Sequence, residues 1–307
     1  TCLLYVKDCI NKFPGKGINK NLADDLKNYW ANFSQKQIIS GIEEVLDGLL
    51  DGSENKDKKI ELLQKNVLGD QKVKKLTREE WLKILEDITL NIYRFIDADS
   101  SEGQDILNLF FITFNKYTGK ADKNQAFTPD HITDFMAKLT EVDKTKRVLD
   151  ECCGSGSFLV QAMVKELADC RRNKNEKEAK ALMDKVKKKN IFGIEFEEKA
   201  YGLATTNMLI HGDGNSNIIL GSCFEERKFI VNAKPDIILM NPPYNAKPKM
   251  IPEKYQKNWG RASDGKEDPT KGLVFVKYLS DIAKDEDWNG TKLAVLLPMS
   301  ADRKSTR

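Results

Sequence analysis

Beyond about residue 120, short apolar runs alternate with longer segments in which apolar residues recur every three or four positions. The short runs have the content of buried strands, and the longer segments have helical periodicity. Strands separated by helices run parallel, because the chain crosses over one face of the sheet between them. The sequence therefore predicts an α/β domain with a doubly wound, mostly parallel sheet. Its predicted strands are 147–150, 190–195, 217–220, 236–240 and 292–297, with helices that include 158–167, 198–210 and 275–283.

The region before this alternation has a different pattern. From residue 22 to residue 116, apolar side chains recur at helical spacing. Thr77 followed by Glu80 is a capping box that marks the start of one helix. The charged stretch 51–59 predicts a loop between helices.

The chain is long enough for two domains, because single cores rarely grow beyond about 250–300 residues. We expect an all-helical N-terminal domain over residues 1–120 and the α/β domain over residues 121–307. No apolar run approaches the roughly 20 residues of a membrane-spanning helix. With Thr1 at its start and no signal sequence, the chain is interpreted as an internal part of a larger cytoplasmic protein.

The cysteine and histidine content argues against a disulfide framework and against a metal site. The cysteines lack the density and the spacing of a disulfide framework, and only His131 and His211 accompany them. We therefore expect reduced thiols and no metal centre. The cysteines are Cys2, Cys9, Cys152, Cys153, Cys170 and Cys223.

The net charge of +3 does not identify a nucleic-acid partner, but basic residues concentrate in segments 171–189 and 247–271. The first segment favours a solvated helix face. For the polar stretch 245–272, which contains the second, two interpretations stay open: a mobile loop that binds nucleic-acid phosphates, or a disordered surface loop. The cations available for phosphate contacts are Lys247, Lys249, Lys254, Lys257 and Arg261.

A glycine-rich turn follows the first predicted strand, between Asp150 and Phe158, with Gly154 and Gly156 at its centre. Glycines let the backbone pass close to a ligand, and the next helix presents its unpaired amides there. Dinucleotide-binding turns usually have a third glycine where this chain has Leu159, so the turn argues mildly against NAD or FAD.

The second predicted strand ends in Glu195. A carboxylate in this place can accept hydrogen bonds from both hydroxyls of a ribose, because its two oxygens form a fork. It stands further from the glycine turn than the usual ~20 residues, and the charged insertion 171–189 accounts for the difference. The alternative is a surface carboxylate without a ligand.

The fourth predicted strand runs into Asn241-Pro242-Pro243-Tyr244. Two consecutive prolines cannot continue a sheet ladder, so the strand must end there in a rigid, extended elbow. The Asn241 side-chain oxygen and the Pro242 carbonyl can accept the two hydrogens of an exocyclic amine. The Tyr244 ring can stack on the planar group that bears this amine. A merely structural turn is the less favoured alternative.

Together, the glycine turn, Glu195 and the elbow resemble the amino-methylating DNA methyltransferases. The segment 125–130 resembles the cofactor-binding motif that precedes the sheet in modification subunits of type I restriction–modification systems. The resemblance extends to the helical N-terminal region, and its specific motifs lie between Gln125 and Tyr244. It implies a Rossmann-like fold and S-adenosylmethionine as cofactor.

The resemblance also implies roles for individual residues. The elbow residues Asn241, Pro242, Pro243 and Tyr244 would be catalytic. The residues around Phe127 would close over the methionine part of the cofactor, 155–157 would line the turn beneath it, and Glu195 would hold its ribose. The full cofactor-binding set is Gln125, Ala126, Phe127, Thr128, Pro129, Asp130, Asp150, Gly154, Ser155, Gly156, Ser157, Glu195 and Ser222.

Two positions depart from the family pattern. Glu151 stands where the family usually has proline, which places a charge near the cofactor pocket. After the third predicted strand, Ser222 stands where the family commonly has an acid that contacts the adenine of the cofactor, and Asp213 is a less favoured substitute. We expect the last, antiparallel strands of the family sheet, and the part that docks the specificity subunit, to lie outside the 307 residues.

The resemblance implies methyl transfer from S-adenosylmethionine to the N6 amine of a flipped-out adenine in DNA, in the cytoplasm. The implied partners are DNA, a specificity subunit and a restriction subunit, with two modification subunits for each specificity subunit. Three alternatives stay open: methylation of RNA or of a protein amide, a cofactor-binding scaffold of weak activity that docks a specificity subunit, and an NAD-dependent oxidoreductase. The last of these leaves the elbow without a function.

Overall fold

The computed structural model describes residues 1–16, 19–53, 55–64, 68–93, 128–172, 174–211, 217–257, 259 and 267–301. The chain forms two compact units: Thr1–Ser100 with Thr205–Asn215, and Ser101–Ala204 with Ser216–Arg307. The domain boundary predicted at residue 120 lies outside the described residues and stays a prediction. None of the described helices is both long and apolar enough to cross a membrane.

Helices build the first unit, and their apolar stripes face one another in its core. The capping box predicted at Thr77 and Glu80 is confirmed. The loop predicted at 51–59 is wrong from Lys56 onward, because a helix begins there and buries two leucines despite its charged residues. The described helices are α1 (Cys2–Asn11), α2 (Lys20–Trp30), α3 (Gln35–Leu49), α4 (Lys56–Leu63), α5 (Gln71–Lys74) and α6 (Arg78–Asn91).

The second unit contains a five-stranded sheet with strands β1 (Val148–Asp150), β2 (Ile191–Glu195), β3 (Asn217–Leu220), β4 (Ile237–Met240) and β5 (Lys292–Val295). Their order is β3-β2-β1-β4-β5, and every neighbouring pair is parallel. Helices alternate with these strands, which confirms the predicted doubly wound fold after a helical region. The helices described after α6 are α7 (Asp130–Leu139), α8 (Ser157–Arg171), α9 (Glu176–Lys189), α10 (Glu198–Ile210), α11 (Arg227–Ala233), α12 (Glu253–Gln256) and α13 (Leu273–Asp285).

The strand register brings the candidate residues to one edge of the sheet. Asp150 at the end of β1 pairs with Gly193 of β2, and Glu195 at the end of β2 pairs with Leu220 of β3. Strand β4 ends at the same edge with Met240. The carboxyl ends of parallel strands therefore lie together, at the edge where such sheets bind ligands.

The polar segment after β4 is packed where the structure describes it. A 3₁₀ turn at Pro248–Met250 and helix α12 place Ile251, Tyr255 and Trp259 in one core with the apolar face of α13. The predicted mobile or disordered loop is therefore wrong for these residues, because apolar anchors among the lysines hold the backbone in place. Its contact with nucleic acid stays a prediction, and Arg261 lies outside the described residues.

Candidate active site

The elbow after β4 holds Asn241 between two hydroxyl groups. The Asn241 amide nitrogen donates to Thr128 Oγ1 at 3.1 Å, and the Tyr244 hydroxyl donates to Asn241 Oδ1 at 2.6 Å. A short side chain with a partner on each side has a fixed orientation. The structure thus brings the elbow into contact with Thr128 of the segment that precedes the sheet, although 113 positions separate the two residues.

Gly272 and Asp268 support the elbow, and the sequence patterns singled out neither residue. A Cβ atom on Gly272 would lie 3.0 Å from Pro242 Cγ and 3.6 Å from Tyr244 Cδ1, on a backbone with φ of +97°. Only glycine readily accepts both that conformation and that approach. The buried Asp268 carboxylate accepts the Gly272 amide at 2.9 Å. A glycine at the N-cap of an apolar helix is the sequence signal that could have located it.

The turn after β1 leaves room for a ligand. Gly154 and Gly156 adopt left-handed φ angles of +55° and +83°, and α8 begins immediately afterwards at Ser157. The hydroxyls of Ser155 and Ser157 lie 3.0 Å apart in a buried hydrogen bond. A Cβ atom on Gly154 would meet no atom within 4 Å. The space beside this residue is therefore open, next to the N-terminal amides of α8.

Glu195 links the turn to the neighbouring strand. Its Oε2 accepts the Gly154 amide and its Oε1 accepts the Glu197 amide, both at 2.8 Å. Burial raises the pKa of Glu195, and backbone hydrogen bonds from Glu197, Gly154 and Phe196 partly offset that shift. A carboxylate has about four acceptor positions. At least one acceptor position therefore remains for a ligand hydroxyl, while the backbone hydrogen bonds fix the orientation of the carboxylate.

Asp150 is a second carboxyl at the same edge, and it is buried. It is 1% exposed and accepts the Cys152 amide at 3.0 Å. Burial raises the pKa of Asp150 to about 8; the hydrogen bond from Cys152 opposes the shift, and the charge of Glu195 adds to it. Two carboxyls at one edge, one of them buried and one partly buried, disfavour an anionic ligand such as a pyrophosphate. They favour a ligand that brings positive charge and hydroxyl donors.

Helix α7 is anchored to α8, the helix of the glycine turn. Asp134 accepts a hydrogen bond from Gln161 Nε2 at 3.1 Å and forms an ion pair with Lys165 at 2.9 Å. These contacts hold the start of α7 in place relative to the turn. Of the predicted motif, Thr128, Pro129 and Asp130 lie at the start of α7, whereas Gln125, Ala126 and Phe127 lie outside the described residues.

Ser222 follows β3 at the edge that also carries Glu195. The Gly221 amide donates to the Glu195 carbonyl at 2.9 Å, which ties the ends of the two strands together. The Ser222 carbonyl accepts two amides of the next turn, at 2.9 and 3.0 Å, and so begins the connection to α11. A contact between the Ser222 hydroxyl and an adenine ring stays a prediction. The alternative, Asp213, lies outside the described residues.

Comparison with known proteins matches the same region. Residues 104–299, more than half of the chain, match the family described as N-6 DNA Methylase. The type II restriction enzyme and methyltransferase RM.BcgI of Heyndrickxia coagulans is 39% identical over 200 residues, which cover 64% of this chain and 27% of that protein. The type I restriction enzyme EcoEI methylase subunit of Escherichia coli is 24% identical over 221 residues, which cover 68% of this chain and 40% of that protein.

A solved structure has a similar fold. The type I restriction–modification system methyltransferase subunit from Streptococcus thermophilus matches with a TM-score of 0.54 at 18% identity, over 92% of this chain and 55% of that one. At this identity the likeness establishes the fold alone. The chain spans less than half the length of either curated relative.

Proposed function

Since the chain belongs to the N-6 DNA methylase family, we propose that its sheet edge transfers a methyl group from S-adenosylmethionine to the N6 amine of an adenine in DNA. The observation that carries the proposal is the position of Asn241, held between the hydroxyls of Thr128 and Tyr244 at the end of β4. An amide fixed in this way presents its acceptor to an amine at one defined place.

The residues around the glycine turn suit S-adenosylmethionine. This cofactor supplies a methyl group that is already activated on a positively charged sulfonium. Asp150 and Glu195 offer oxygen acceptors that suit the hydroxyl groups of such a ligand. Burial raises the pKa of both carboxyls, and the positive charge of the bound sulfonium favours their ionised form. Gly154 leaves space beside the start of α8, and Gly156 adopts a left-handed φ that completes the turn. NAD fits this edge less well, because its pyrophosphate is anionic.

Asn241 and Pro242 supply the acceptors for the target amine. An adenine amine is a poor nucleophile, because its lone pair is delocalised into the ring. Hydrogen bonds from its two hydrogens to Asn241 Oδ1 and the Pro242 carbonyl favour a pyramidal nitrogen, whose lone pair forms the new carbon–nitrogen bond. The cofactor would supply the methyl group with its sulfur as the leaving group, and the nitrogen would release one proton to water. For this reaction, the alignment of the amine with the methyl group matters more than a strong base. The absence of a histidine from the elbow residues is consistent with that.

Tyr244 acts on both the asparagine and the base. A carbonyl oxygen has two lone pairs, so Asn241 Oδ1 can accept from the Tyr244 hydroxyl and from the amine together. The adenine must leave the duplex to reach the elbow, at a cost of a few kcal/mol. Stacking on the Tyr244 ring offsets about 1–3 kcal/mol of this cost.

Membership of the N-6 DNA methylase family also suggests partners for the chain. We infer that a specificity subunit selects the DNA site, with two modification subunits for each specificity subunit and a restriction subunit as a further partner. Such a role on DNA implies action in the cytoplasm. The resemblance of the elbow and of the segment 125–130 to modification subunits supports this assignment.

Asn241→Ala tests the proposed chemistry. The chain is incubated with labelled S-adenosylmethionine and an oligonucleotide whose adenines are unpaired, so that no duplex has to open. Mass spectrometry of the digested nucleosides then identifies the product. We expect N6-methyladenine from the wild-type chain, and a rate about 100–1000-fold lower from Asn241→Ala, because one oriented acceptor is lost. Affinity for the cofactor should change little.

Asn245→Ala is the matched control, because Asn245 lies four residues further on, is exposed and accepts a hydrogen bond from Lys271. It should retain the wild-type rate. Equal rates in Asn241→Ala and Asn245→Ala would contradict the function assigned to the elbow. A methyl group found on another base would contradict the assignment of the target amine.

A further inference from the structure

A cluster outside the elbow combines two thiols and a carboxyl. Glu151, Cys152 and Cys223 each offer one ligand atom, and these atoms lie within 4.8 Å of one another. All six cysteines lie in the described part of the chain and are free. The cluster joins two turns at the carboxyl edge of the sheet, one after β1 and one after β3.

The cluster contains a buried carboxyl, Glu151, whose oxygens have no hydrogen-bond partner among the described residues. Glu151 is 2% exposed, and within the described part of the chain neither of its carboxylate oxygens has a hydrogen-bond partner. A buried carboxyl left in this state is costly, and proteins normally offset the cost with an opposite charge, a hydrogen bond or a metal ion. The two sulfur atoms beside Glu151 indicate which of these the site would accept.

We propose that Glu151, Cys152 and Cys223 bind one thiophilic divalent cation of the zinc class. Thiolates and a carboxylate are donors that zinc accepts, and three protein ligands leave a fourth position for water. At the usual bond lengths, tetrahedral zinc sets its ligand atoms about 3.5–3.8 Å apart, so no separation in the cluster has to contract by more than about 1 Å. Small rotations of three side chains can supply that movement. Cys152 is partly exposed, which gives the ion a route of entry.

The cation would have a structural role beside the cofactor turn. Cys152 lies two residues before Gly154, and Cys223 lies two residues after Gly221. Glu195 already links these turns, since its side chain accepts the Gly154 amide and its carbonyl accepts the Gly221 amide. A bound cation adds a second link between them and stabilises the second unit. This role goes beyond methyl transfer and does not depend on it.

Cobalt(II), which occupies zinc sites and is coloured, tests the proposal without cofactor or DNA. The chain is kept reduced with a phosphine and titrated with cobalt(II) while its absorption spectrum is recorded. We expect saturation at one ion per chain, with thiolate-to-metal charge-transfer bands and the visible bands of a tetrahedral ion. Zinc should displace the cobalt and raise the Tm of the chain.

Variants distinguish this site from general binding by thiols. Cys223→Ser should lose the charge-transfer bands and the zinc-dependent rise in Tm. Glu151→Gln removes a direct ligand while keeping both thiols and the side-chain volume, so it remains informative if a cysteine variant does not fold. Even outer-shell partners contribute about 10–100-fold to metal affinity, so we expect binding at least about tenfold weaker. Cys170→Ala deletes another buried thiol of the same unit and should bind as the wild type does.

Two results would overturn the proposal. One is the lack of any saturable cobalt spectrum with the reduced wild-type chain. The other is binding that stays unchanged in both Cys223→Ser and Glu151→Gln. Because neither cofactor nor DNA is present, failure here leaves the methyl-transfer proposal untouched.

Discussion

The Tyr244 hydroxyl donates a 2.6 Å hydrogen bond to Oδ1 of Asn241, three residues earlier in the chain. The same hydroxyl lies 3.3 Å from the carbonyl of Leu296, just beyond β5. The Tyr244 hydroxyl therefore links two residues of the elbow and also links the elbow to the connection that follows the neighbouring strand β5. The hydroxyl of Tyr244 therefore orients the amide, and its ring is the surface on which we propose that the base stacks.

Tyr244→Phe and Tyr244→Ala separate the effect of the ring from that of the hydroxyl. Phe keeps the stacking face and loses hydrogen bonds that contribute about 0.5–1.5 kcal/mol each, so we expect kcat/KM for methyl transfer to fall about tenfold. Ala also loses stacking of about 1–3 kcal/mol, so we expect a fall of about 100-fold or more. Steady-state methylation kinetics measure both variants. Equal losses would mean that stacking is the wrong explanation.

Four exposed lysines after the elbow should bind DNA phosphates. Ile251 and Tyr255, which are buried, hold the backbone of this segment in place. Each phosphate contact contributes about 0.9 to the slope of log K against log salt concentration. Changing all four to Gln should therefore make the slope shallower by up to about 3–4, measured by fluorescence anisotropy over a range of salt concentrations. The lysines are Lys247, Lys249, Lys254 and Lys257.

Helix α9 offers a matched control for this charge change. Five of its lysines are also exposed, and their sequence pattern is typical of a solvated helix face; four of them serve as the control. The quadruple Gln variant of α9 should keep the wild-type salt slope. If both variants flatten the slope equally, net charge governs DNA binding and the segment after the elbow has no special part in it. The control lysines are Lys177, Lys180, Lys185 and Lys188.

The buried Glu166 should make the free energy of unfolding fall as the pH rises. Burial raises its pKa to about 9, although a 2.7 Å hydrogen bond from Asn190 Nδ2 opposes the shift. The pKa of Glu166 in the folded state exceeds the ordinary value of 4.5. The contribution of Glu166 to the free energy of unfolding is therefore complete below about pH 4.5, and it is lost as the pH rises towards 9.

Glu166→Gln removes this titration and should reduce the slope by up to about 1.4 kcal/mol per pH unit. Part of the slope should remain, because the pKa of Asp150 is also raised, to about 8. Urea denaturation of the wild-type chain and the variant across this pH range measures the difference. The same slope in both proteins would mean that Glu166 does not hold its proton in the folded state.

The sequence predicted the strands well and the segment after β4 poorly. Strand β3 and helix α10 have the predicted bounds, and the other strands agree to within two residues. Alternating apolar runs and helical segments leave few arrangements other than a parallel sheet. In the segment after β4, polar residues outnumber apolar ones, but burial of Ile251, Tyr255 and Trp259 determines the conformation.

The types of residue in the candidate site were predictable, whereas their contacts were not. Glu195 and Asn241 stand at strand ends, where the pattern of the sheet already points to a ligand. The hydrogen bond between Thr128 and Asn241 depends on tertiary packing that no local pattern encodes. The same applies to Cys152 and Cys223, whose separation in the sequence matches no metal-binding motif. Cysteine spacing therefore led to the expectation of no metal site.

Calorimetric titration of S-adenosylmethionine into the chain tests the central claim most directly, because it requires neither DNA nor a partner subunit. We predict one binding site in the wild-type chain and no comparable binding of NAD. Glu195→Ala should weaken binding about 10–100-fold, because it removes charge-assisted hydrogen bonds to the ribose and the link to Gly154. Glu198→Ala, which changes an exposed acid three residues further on, should bind as the wild type does. No binding to the wild-type chain, or equal affinities of Glu195→Ala and Glu198→Ala, would contradict the claim.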